Sequence, residues 1–435
     1  MTILDATIVN VALPSIGSGL STNLTGLQWV VDSYQLTFAA LLLAGGALGD
    51  RLGSRPVFEV GLALFTLASA LCGAAPVLAA LVVFRVLQGI GAALVVPASL
   101  ALIRQTFAEE ATRARATGVW GAIAGIAAGA GPVLGGILVG SLGWRSVFLV
   151  NLPVGLAAMW LVHRYVSPTA GRRQRGLDVT GQTVGVLALG LLTFGIIEGG
   201  NRGWSAAVIV SALVASVIAA VIFVVLESRS REPVLPLDLF GSPSFSAGTL
   251  VGFLINFGFY GQLFFMSVYF QQVRGYSAPL TGLALLPELG VVAASSFLSG
   301  RLTGHVGPRL PMIIGLAAGG PGLAALLIVG PTTPYVLLAG LLVAIGFGMS
   351  FTMPAMTTAV TEAAPRDQAG IASGVLNAAR QVGGALGVAL LGSLVGHASF
   401  SIAGMQLAGV LAGLAFLAAL ACTLTWVRVS RASAG

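Results

Sequence analysis

Long apolar runs recur along the whole chain, and most of the charged residues lie in the short segments between them. No charged residue occurs in the intervals 60–84, 116–144 and 239–273. Each of these intervals is longer than the roughly 20 apolar residues with which an α-helix crosses a bilayer. The pattern therefore predicts an all-α transmembrane protein.

Fourteen such runs predict about fourteen transmembrane helices. Short neutral turns, such as residues 21–28 and 331–334, alternate along the chain with connectors that carry arginines. The predicted helices cover residues 1–20, 29–49, 57–75, 78–103, 113–140, 146–166, 178–198, 205–226, 245–272, 280–300, 310–330, 334–354, 370–396 and 405–427.

The composition excludes a soluble globular protein. Hydrophobic residues make up 57% of the 435 residues, charged residues only 8%, and the mean hydropathy is +0.98. A soluble domain carries about a quarter charged residues. Cys72 and Cys422 both lie in apolar runs, which favours buried thiols over a disulfide framework.

The positive charge consists entirely of arginine, since the chain has no lysine, and the formal net charge is +7. Sixteen of the arginines lie in every second connector and at the C-terminus, among them Arg172, Arg173, Arg175 and Arg428. The connectors at the other side of the membrane hold only Arg145, Arg202 and Arg274. Because positive connectors mark the cytoplasmic side, we expect a plasma-membrane protein with both termini in the cytoplasm. The same distribution argues against nucleic-acid binding.

The chain repeats itself at offsets of 254 to 257 residues. Gly46 returns as Gly300, and Gly89 returns as Gly346. Parallel repeats of this kind occur in transporters built from two homologous bundles. The repeat predicts a six-helix bundle over residues 1–166, two inserted helices and a linker over 167–235, and a second six-helix bundle over 236–435.

Several motifs resemble those of the major facilitator superfamily. GALGDRLGSR (46–55), LVVFRVLQGIGAA (81–93) and GAGPVLGG (129–136) resemble its loop, helix-4 and antiporter helix-5 motifs. LDATIVNVALP (4–14) and GWRSVFLVNLPVG (143–155) resemble motifs of its fourteen-helix drug:proton antiporter family. The resemblance implies a major facilitator fold of two six-helix bundles plus two inserted helices, with no cofactor. It implies proton-coupled export of amphipathic drugs or antibiotics by alternating access, and no enzymatic activity.

Three ionisable residues inside predicted helices are candidates for proton coupling, since such residues are costly in a bilayer and usually functional. Asp5 lies in the first helix, and the resemblance implies that Arg85 of helix 4 assists proton transfer. Glu288 lies in helix 10, well clear of either end, where the family pattern predicts an apolar residue. A structural pairing is the alternative for Asp5 and Glu288, and hydrogen bonding to backbone carbonyls of other helices is the alternative for Arg85. Because Asp5 lies only four residues after Met1, we expect either a longer natural N-terminus or a short first helix.

Five further residues are candidates for substrate binding. Asp32 follows Trp29 near the predicted outer end of helix 2, where it either attracts cationic drugs or forms an ordinary interfacial pair. Arg380 lies inside helix 13 and is expected to contact either the substrate or Glu288. The remaining candidates, for which core packing is the alternative, are Gln35 of helix 2 and Asn256 and Tyr260 of the aromatic-rich helix 9.

Five residues are candidates for a conformational role. Asp50, Arg51 and Arg55 lie in the tight loop after helix 2, which is expected to act as a latch between transport states. A solvated turn is the alternative. Gly131 and Pro132 are expected to loosen helix 5 and to allow close approach of a neighbouring helix.

Two other carboxylates are expected to be structural: Glu59 as a charge at the positive end of helix 3, and Glu198 as a solvated charge at the end of helix 7. No metal site is expected, because the three histidines lie on separate loops or helix ends. A proton-coupled symporter of a small nutrient is the alternative function, and a membrane enzyme or lipid scramblase is a third. The expected partners are a small-molecule substrate, protons and the bilayer, with the protein a monomer.

Overall fold

The computed structural model describes residues 1–107, 109–166, 178–230, 233, 235–365, 368–396 and 400–427. Within these residues it contains sixteen α-helices and no strand. Thirteen helical spans are long and apolar enough to cross a membrane, which confirms the predicted all-α transmembrane class. Of the residues used in the topology and metal-site predictions, the following lie outside the described part of the chain: Arg172, Arg173, Arg175, Arg231, Arg366, His397, Arg428 and Arg431.

The helices fall into three groups along the chain. The first group is α1 (Thr2–Gly19), α2 (Leu24–Leu52), α3 (Ser54–Ala74), α4 (Leu78–Thr106), α5 (Glu110–Leu142), α6 (Ser146–Leu149) and α7 (Asn151–Tyr165). The second is α8 (Val179–Arg202) and α9 (Ala207–Arg229). The third is α10 (Pro243–Val268), α11 (Ala278–Ala284), α12 (Leu286–Val306), α13 (Arg309–Ala324), α14 (Tyr335–Ala363), α15 (Ala369–Leu394) and α16 (Ile402–Trp426).

Two of the predicted crossings are interrupted. The predicted helix 146–166 consists of α6 and α7, which meet at Val150. The predicted helix 280–300 consists of α11 and α12, which meet at Leu285. Pro287 stands at the start of α12, where proline is tolerated because the first helical N–H groups have no partner within the helix. Glu288 therefore lies in the first turn of α12, and its predicted position well clear of a helix end is wrong.

Equivalent contacts occur in the first and third groups of helices. In the first group α1 packs on α5, α2 and α3 pack on α4, and α3 packs on α7. In the third group α10 packs on α15, α12 and α13 pack on α14, and α13 packs on α16. We refer to α1–α7 and α10–α16 as the first and second halves. This equivalence supports the division into two bundles that the sequence repeat predicts.

The two halves meet along three seams. α2 runs along α15, α5 packs on α11 and α12, and α1 touches α10. The inserted helix α8 packs on α9 and also on both α2 and α15. We call the end of the molecule that carries the α1–α2 connection the distal end, and the end that carries the α2–α3 connection the proximal end.

Candidate functional site

Asp5 and Arg85 form an ion pair inside the first half. Asp5 Oδ2 accepts a hydrogen bond from Nη1 of Arg85, which joins α1 to α4. Asp5 is fully buried and Arg85 is 1% exposed. Buried charges occur in proteins when they are paired and hydrogen-bonded. This pair satisfies that condition for both of the charges that the sequence places in these helices.

Three neutral side chains complete the hydrogen bonding of the pair. Asp5 Oδ1 accepts hydrogen bonds from Gln88 Nε2 at 2.8 Å and from Asn151 Nδ2 at 3.1 Å. Gln88 and Asn151 also donate to Ser69 Oγ, at 3.1 and 3.0 Å. Arg85 Nη1 donates to Gln88 Oε1 at 2.8 Å. We call these five residues the Asp5 network, which joins α1, α3, α4 and α7.

Arg85 also connects the Asp5 network to α2. Its Nε donates to the Val30 carbonyl oxygen at 2.9 Å, and its guanidinium carbon lies 4.3 Å from the centre of the Tyr34 ring. The Tyr34 hydroxyl in turn donates to the Thr2 carbonyl oxygen at 3.0 Å. Loss of the Asp5 charge would leave a buried guanidinium without a counter-ion, which is strongly destabilising. The charge state of Asp5 is therefore linked to the packing of five helices.

Asp32 is a buried carboxyl without such partners. It is fully buried, and neither of its carboxyl oxygens has a hydrogen-bond partner among the described residues. Gln28, one turn earlier, donates to the Val388 carbonyl oxygen of α15 at 3.2 Å, and Gln35, one turn later, lies against Gly384 of α15. Residues three and four apart share a helix face, so Asp32 lies on the face of α2 that meets the second half.

The predicted position of Asp32 at the outer end of its helix is wrong, because α2 already begins at Leu24. Its predicted neighbour Trp29 instead donates from Nε1 to Glu198 Oε1 of α8 at 3.1 Å. Arg202 donates to the other oxygen of Glu198 at 2.8 Å. Glu198 is therefore a contact between α2 and the inserted helices, and the prediction that it is only a solvated loop charge is wrong.

Glu288 is a third buried carboxyl and lies in the second half. It is fully buried; its Oε2 accepts a hydrogen bond from Gln262 Nε2 at 3.4 Å, and its Oε1 has no partner among the described residues. Glu288 occupies the position equivalent to Tyr34. A Cβ atom on Gly89 would lie 2.7 Å from the Tyr34 carbonyl oxygen, and one on the equivalent Gly346 would meet the Glu288 carbonyl oxygen.

Arg380 is a half-buried cation of α15. Its Nη1 donates to Asn377 Oδ1 at 3.0 Å, its Nη2 contacts Met353 Sδ of α14 at 3.4 Å, and its Nε has no partner. In the described part of the chain it forms no ion pair with any carboxylate. The expected pair between Arg380 and Glu288 is therefore not formed in this structure.

The remaining candidates for substrate binding lie close to Arg380. The Tyr260 ring and the Gln35 Oε1 atom would lie 3.1 and 3.2 Å from a Cβ atom added to Gly384. Asn256, one turn before Tyr260 on α10, donates to its own helix at the Gly252 carbonyl oxygen at 2.7 Å. The structure thus brings α2, α10 and α15 together around these side chains. Their role in binding a substrate stays a prediction.

The residues at the α2–α3 junction differ in their surroundings. Asp50 and Arg51 lie in the last turn of α2 and are exposed, and only Gly53 separates α2 from α3, so their predicted position in a loop after the helix is wrong. Arg55 Nε donates to Glu59 Oε1 at 3.0 Å, and its Nη2 donates to the His163 carbonyl oxygen of α7 at 3.1 Å. Because α3 begins at Ser54, Glu59 lies beyond its first turn and forms a salt bridge; its predicted role at the helix end is wrong. The predicted latch stays a prediction.

Gly131 and Pro132 place α5 between two neighbours. A Cβ atom added to Gly131 would lie 3.1 Å from the Ile8 amide nitrogen of α1. A Cβ atom added to Gly282 of α11 would meet the Pro132 carbonyl oxygen. Helix α5 therefore touches its own half on one side and the second half on the other.

The face of α5 towards the second half carries glycine along its length. At the distal end, Cβ atoms on Gly129 and Gly136 would lie 3.5 Å from the Leu289 carbonyl oxygen and 2.7 Å from the Ala278 carbonyl oxygen. Towards the proximal end, Gly118, Gly121 and Gly125 follow at helical spacing on the same face, and a Cβ atom on any of them would meet nothing within 4 Å. This seam is closed distally and open proximally.

Comparison with known proteins identifies the family. The family model described as Major Facilitator Superfamily matches residues 1–388. The chain belongs to the major facilitator superfamily. The chain is 39% identical over 428 residues to the methylenomycin A resistance protein of Bacillus subtilis (strain 168). This alignment covers 98% of the chain and 91% of that protein. The chain is 38% identical to the tetracenomycin C resistance and export protein of Streptomyces glaucescens, over 91% of the chain and 73% of that protein.

A solved structure of another transporter supports the fold assigned to this chain. The crystal structure of a bacterial homologue of the human lysosomal transporter Spinster superposes with a TM-score of 0.65 at 18% identity. The superposition covers 98% of the chain and 94% of that structure. The predicted family and fold are therefore confirmed, and the protein is a multi-pass membrane transporter.

Sequence reasoning missed three neutral residues of the site. Asn151 and Ser69 belong to the Asp5 network, and Gln262 is the partner of Glu288. Asn151 lies within the motif at 143–155, which was a usable signal. Ser69 and Gln262 carry none, because single neutral polar residues are ordinary in membrane helices.

Proposed function

We propose that this protein is a proton-coupled antiporter that exports amphipathic drugs or antibiotics across the plasma membrane, with both termini in the cytoplasm. The resistance and export proteins to which it is similar support export as the direction of transport. The arginine distribution supports the orientation, because the proximal connectors then face the cytoplasm. The small-molecule substrate moves between the two halves as the seams open in turn.

The buried Asp5 network is the observation that carries proton coupling. In its present state the carboxylate of Asp5 balances the charge of Arg85 and accepts three hydrogen bonds. When Asp5 takes up a proton, that balance is lost, and Arg85 has to recruit another acceptor. The helices α1 and α2 then shift against α4, and both of these helices also contact the second half. Protonation in the first half thus changes the seams between the halves.

The carboxyls at the seams and in the second half provide the other side of the exchange. Asp32 lies on the α2 face towards α15, and Glu288 lies beside Gln262 in the second half. Neither has a cationic partner among the described residues. A buried carboxyl without a cationic partner is most stable as the neutral acid. Each group therefore suits a site that holds a proton until cargo or water reaches it.

Transport by the purified protein in liposomes tests this function. Liposomes with an imposed pH gradient would be supplied with a panel of amphipathic antibiotics and fluorescent dyes. We expect accumulation of at least one compound against its own gradient, and loss of that accumulation when an uncoupler collapses the pH gradient. Equal accumulation with and without the gradient would refute proton coupling.

A further inference from the structure

The charge partners of Arg380 point to the chemistry of the substrate. Among the described residues, the polar contacts of the Arg380 guanidinium are with neutral groups, an amide oxygen of Asn377 and the sulfur of Met353. A guanidinium within a membrane-spanning helix is energetically costly. Intramembrane charges are usually paired or face a water-filled cavity. An arginine without an anionic partner in the described part of the protein is therefore suited to bind an anionic group of a ligand.

The nearest unpaired carboxyl on the facing helix does not supply that acceptor. Gln28 and Gln35 fix the register of α2 on α15, with contacts at Val388 and Gly384 respectively. Asp32 lies between those levels, and Arg380 lies beyond Gly384 towards the proximal end. The two charges are thus separated by roughly 9 Å along the helix axis, six residues at 1.5 Å each.

The surroundings of Arg380 combine this charge with apolar surface. Its side chain crosses Gly252 of α10, since a Cβ atom there would lie 3.2 Å from Arg380 Cγ. The rings of Phe253 and Phe257 stack on the same helix with centres 6.4 Å apart, and both are half-buried. Tyr260 lies one turn beyond Asn256. Helix α10, which packs on the helix of Arg380, thus carries half-buried aromatic rings, and a guanidinium in such surroundings suits a ligand with a flat apolar body and one anionic group.

We propose that Arg380 binds the anionic group of the substrate, and that this transporter prefers amphipathic carboxylates to neutral or cationic compounds of the same shape. Asn377 is a positioning residue, because its Oδ1 atom accepts a hydrogen bond from Nη1 of Arg380, and the anionic group would replace the weak contact of Nη2 with Met353 Sδ. This inference rests on the proposed export function and names its substrate class. It assigns the opposite charge preference to the one that Asp32 suggests from the sequence.

A matched series of probes separates charge from shape. Pyrenebutyrate, pyrenebutanamide and pyrenebutyl-trimethylammonium share one aromatic body and differ in charge. Binding to the purified full-length protein in detergent would be followed by fluorescence anisotropy. We expect pyrenebutyrate to bind about tenfold more tightly than the amide, since a charge-assisted, bidentate hydrogen bond is about twice as strong as a neutral one. Equal affinities, or a preference for the cation, would overturn the proposal.

Variants test whether Arg380 is the cause of the preference. Arg380→Gln is expected to reduce the preference for pyrenebutyrate over the amide to less than about twofold, with affinity for the amide unchanged. Arg380→Lys keeps the charge but loses the planar fork, so we expect an intermediate preference. Asn377→Ala is expected to weaken pyrenebutyrate binding only. A purely structural role would lower the affinity for all three probes together, and that result would contradict the proposal.

The outcomes also separate this inference from the proposed function. Gradient-driven export without any charge preference would refute the role of Arg380 and leave the antiporter intact. A charge preference in binding, without gradient-driven movement of any probe in liposomes, would refute proton-coupled export and leave Arg380 as an anion-binding residue. Thermal unfolding of each variant in detergent shows whether a lost preference reflects a lost fold.

Discussion

Single residues determine how charge is tolerated inside this transporter. In the first half Asp5 and Arg85 form an ion pair, and neutral side chains complete the hydrogen bonding of this pair. The second half has Leu342 at the position that the repeat assigns to Arg85 and a carboxyl, Glu288, at the position of Tyr34. The two halves therefore share a backbone but not a charge distribution. We infer that proton uptake is asymmetric between them.

Replacing the charge of Asp5 tests the role of the pair. Asp5→Asn keeps the shape of the side chain but leaves Arg85 without its counter-ion, so we expect gradient-driven transport to be abolished. We also expect stability to fall by about 3–5 kcal/mol, the range for breaking a buried pair. The double variant Asp5→Asn with Arg85→Gln removes both charges and is expected to regain stability without regaining coupled transport. Transport in liposomes and unfolding in detergent measure the two effects.

The exposed carboxylate of Asp238 provides the control for this test. It lies in the connector before α10, outside the Asp5 network, and is exposed. Asp238→Asn is expected to transport like the natural protein. Full gradient-driven transport by Asp5→Asn would move the coupling site elsewhere, with Glu288 the next to be replaced.

Asn151 gives a second prediction at this scale. Asn151→Ala removes one donor from Asp5 and one from Ser69, and leaves both oxygens buried. Gln88 still donates to both oxygens, but a hydrogen bond to a charged group contributes about 1.5–3 kcal/mol, so we expect a loss of stability in that range together with slower coupled transport. Ser211→Ala, on the exposed surface of α9, is the control and is expected to change neither. An Asn151→Ala protein with natural stability would show that the hydrogen bonds from Gln88 and Arg85 are sufficient to stabilise Asp5.

The sequence allowed only part of this site to be predicted. Asp5, Arg85 and Glu288 are visible because a charge inside an apolar run is conspicuous. The neutral partners are invisible for the opposite reason, and their contacts span 82 residues from Ser69 to Asn151 and 146 from Asp5 to Asn151. The location of Asp32 was wrong because apolar periodicity alone did not extend α2 back to Leu24, where Asn23 caps the helix.

Among the helices, α5 shows how one element serves both halves. Its distal glycines touch α11 and α12, whereas Gly118, Gly121 and Gly125 face the same way and touch nothing. In alternating access the seam that is open in one state closes in the other. We therefore expect the proximal part of α12 to pack against these three glycines in the opposite state.

A bulky side chain on that surface is expected to stop the cycle. Gly125→Leu fits the present structure, because a Cβ atom there meets no atom within 4 Å. It would block closure of the proximal seam, so we expect at least tenfold slower turnover with nearly natural stability and probe binding. Val119→Leu lies on an exposed part of the same helix and is the matched control. Natural turnover by Gly125→Leu would show that α5 and α12 never approach at this level.

Sequence patterns predicted the number of crossings better than their continuity. The break at Leu285 brings Glu288 into a first helical turn, and the break at Val150 places Asn151 at the start of α7 beside Asp5. Neither break interrupts an apolar run, so hydropathy has no signal for it. The inserted helices were recognised as a pair, but their attachment to the first half through Trp29 and Glu198 depends on contacts across 169 residues.

At the scale of the whole molecule, transport requires the two halves to move as units. The repeat at 254 to 257 residues predicted their equivalence, and the matching contacts on each side support it. The α2–α15 seam touches along its whole length in this structure. Gln28 meets Gly392 near its distal end, and Leu43 lies 3.0 Å from a Cβ atom on Gly374 towards its proximal end. A rocking mechanism has to open each end of this seam in turn.

Cross-linking each end of the seam tests that requirement. The distal pair is Gln28→Cys with Gly392→Cys, and the proximal pair is Leu43→Cys with Gly374→Cys, both in a background with Cys72→Ala and Cys422→Ala. In each pair the side chain nearest to the new cysteine is itself replaced, and at Gly392 the Phe264 ring, 3.1 Å from the new Cβ atom, has to move by a few tenths of an ångström. Short bifunctional thiol reagents would join them, and a reductant would release the bridge.

We expect either cross-link alone to abolish transport in liposomes and the reductant to restore it, with each single-cysteine variant unaffected by the reagent. The reason is that a bridge at one end holds the halves in a single state, although binding of the probe to that state survives. If only the distal bridge blocked transport, the proximal end of α2 and α15 would stay together through the cycle. The motion would then be a local opening of α5 from α12, and the two halves would not rock as rigid units.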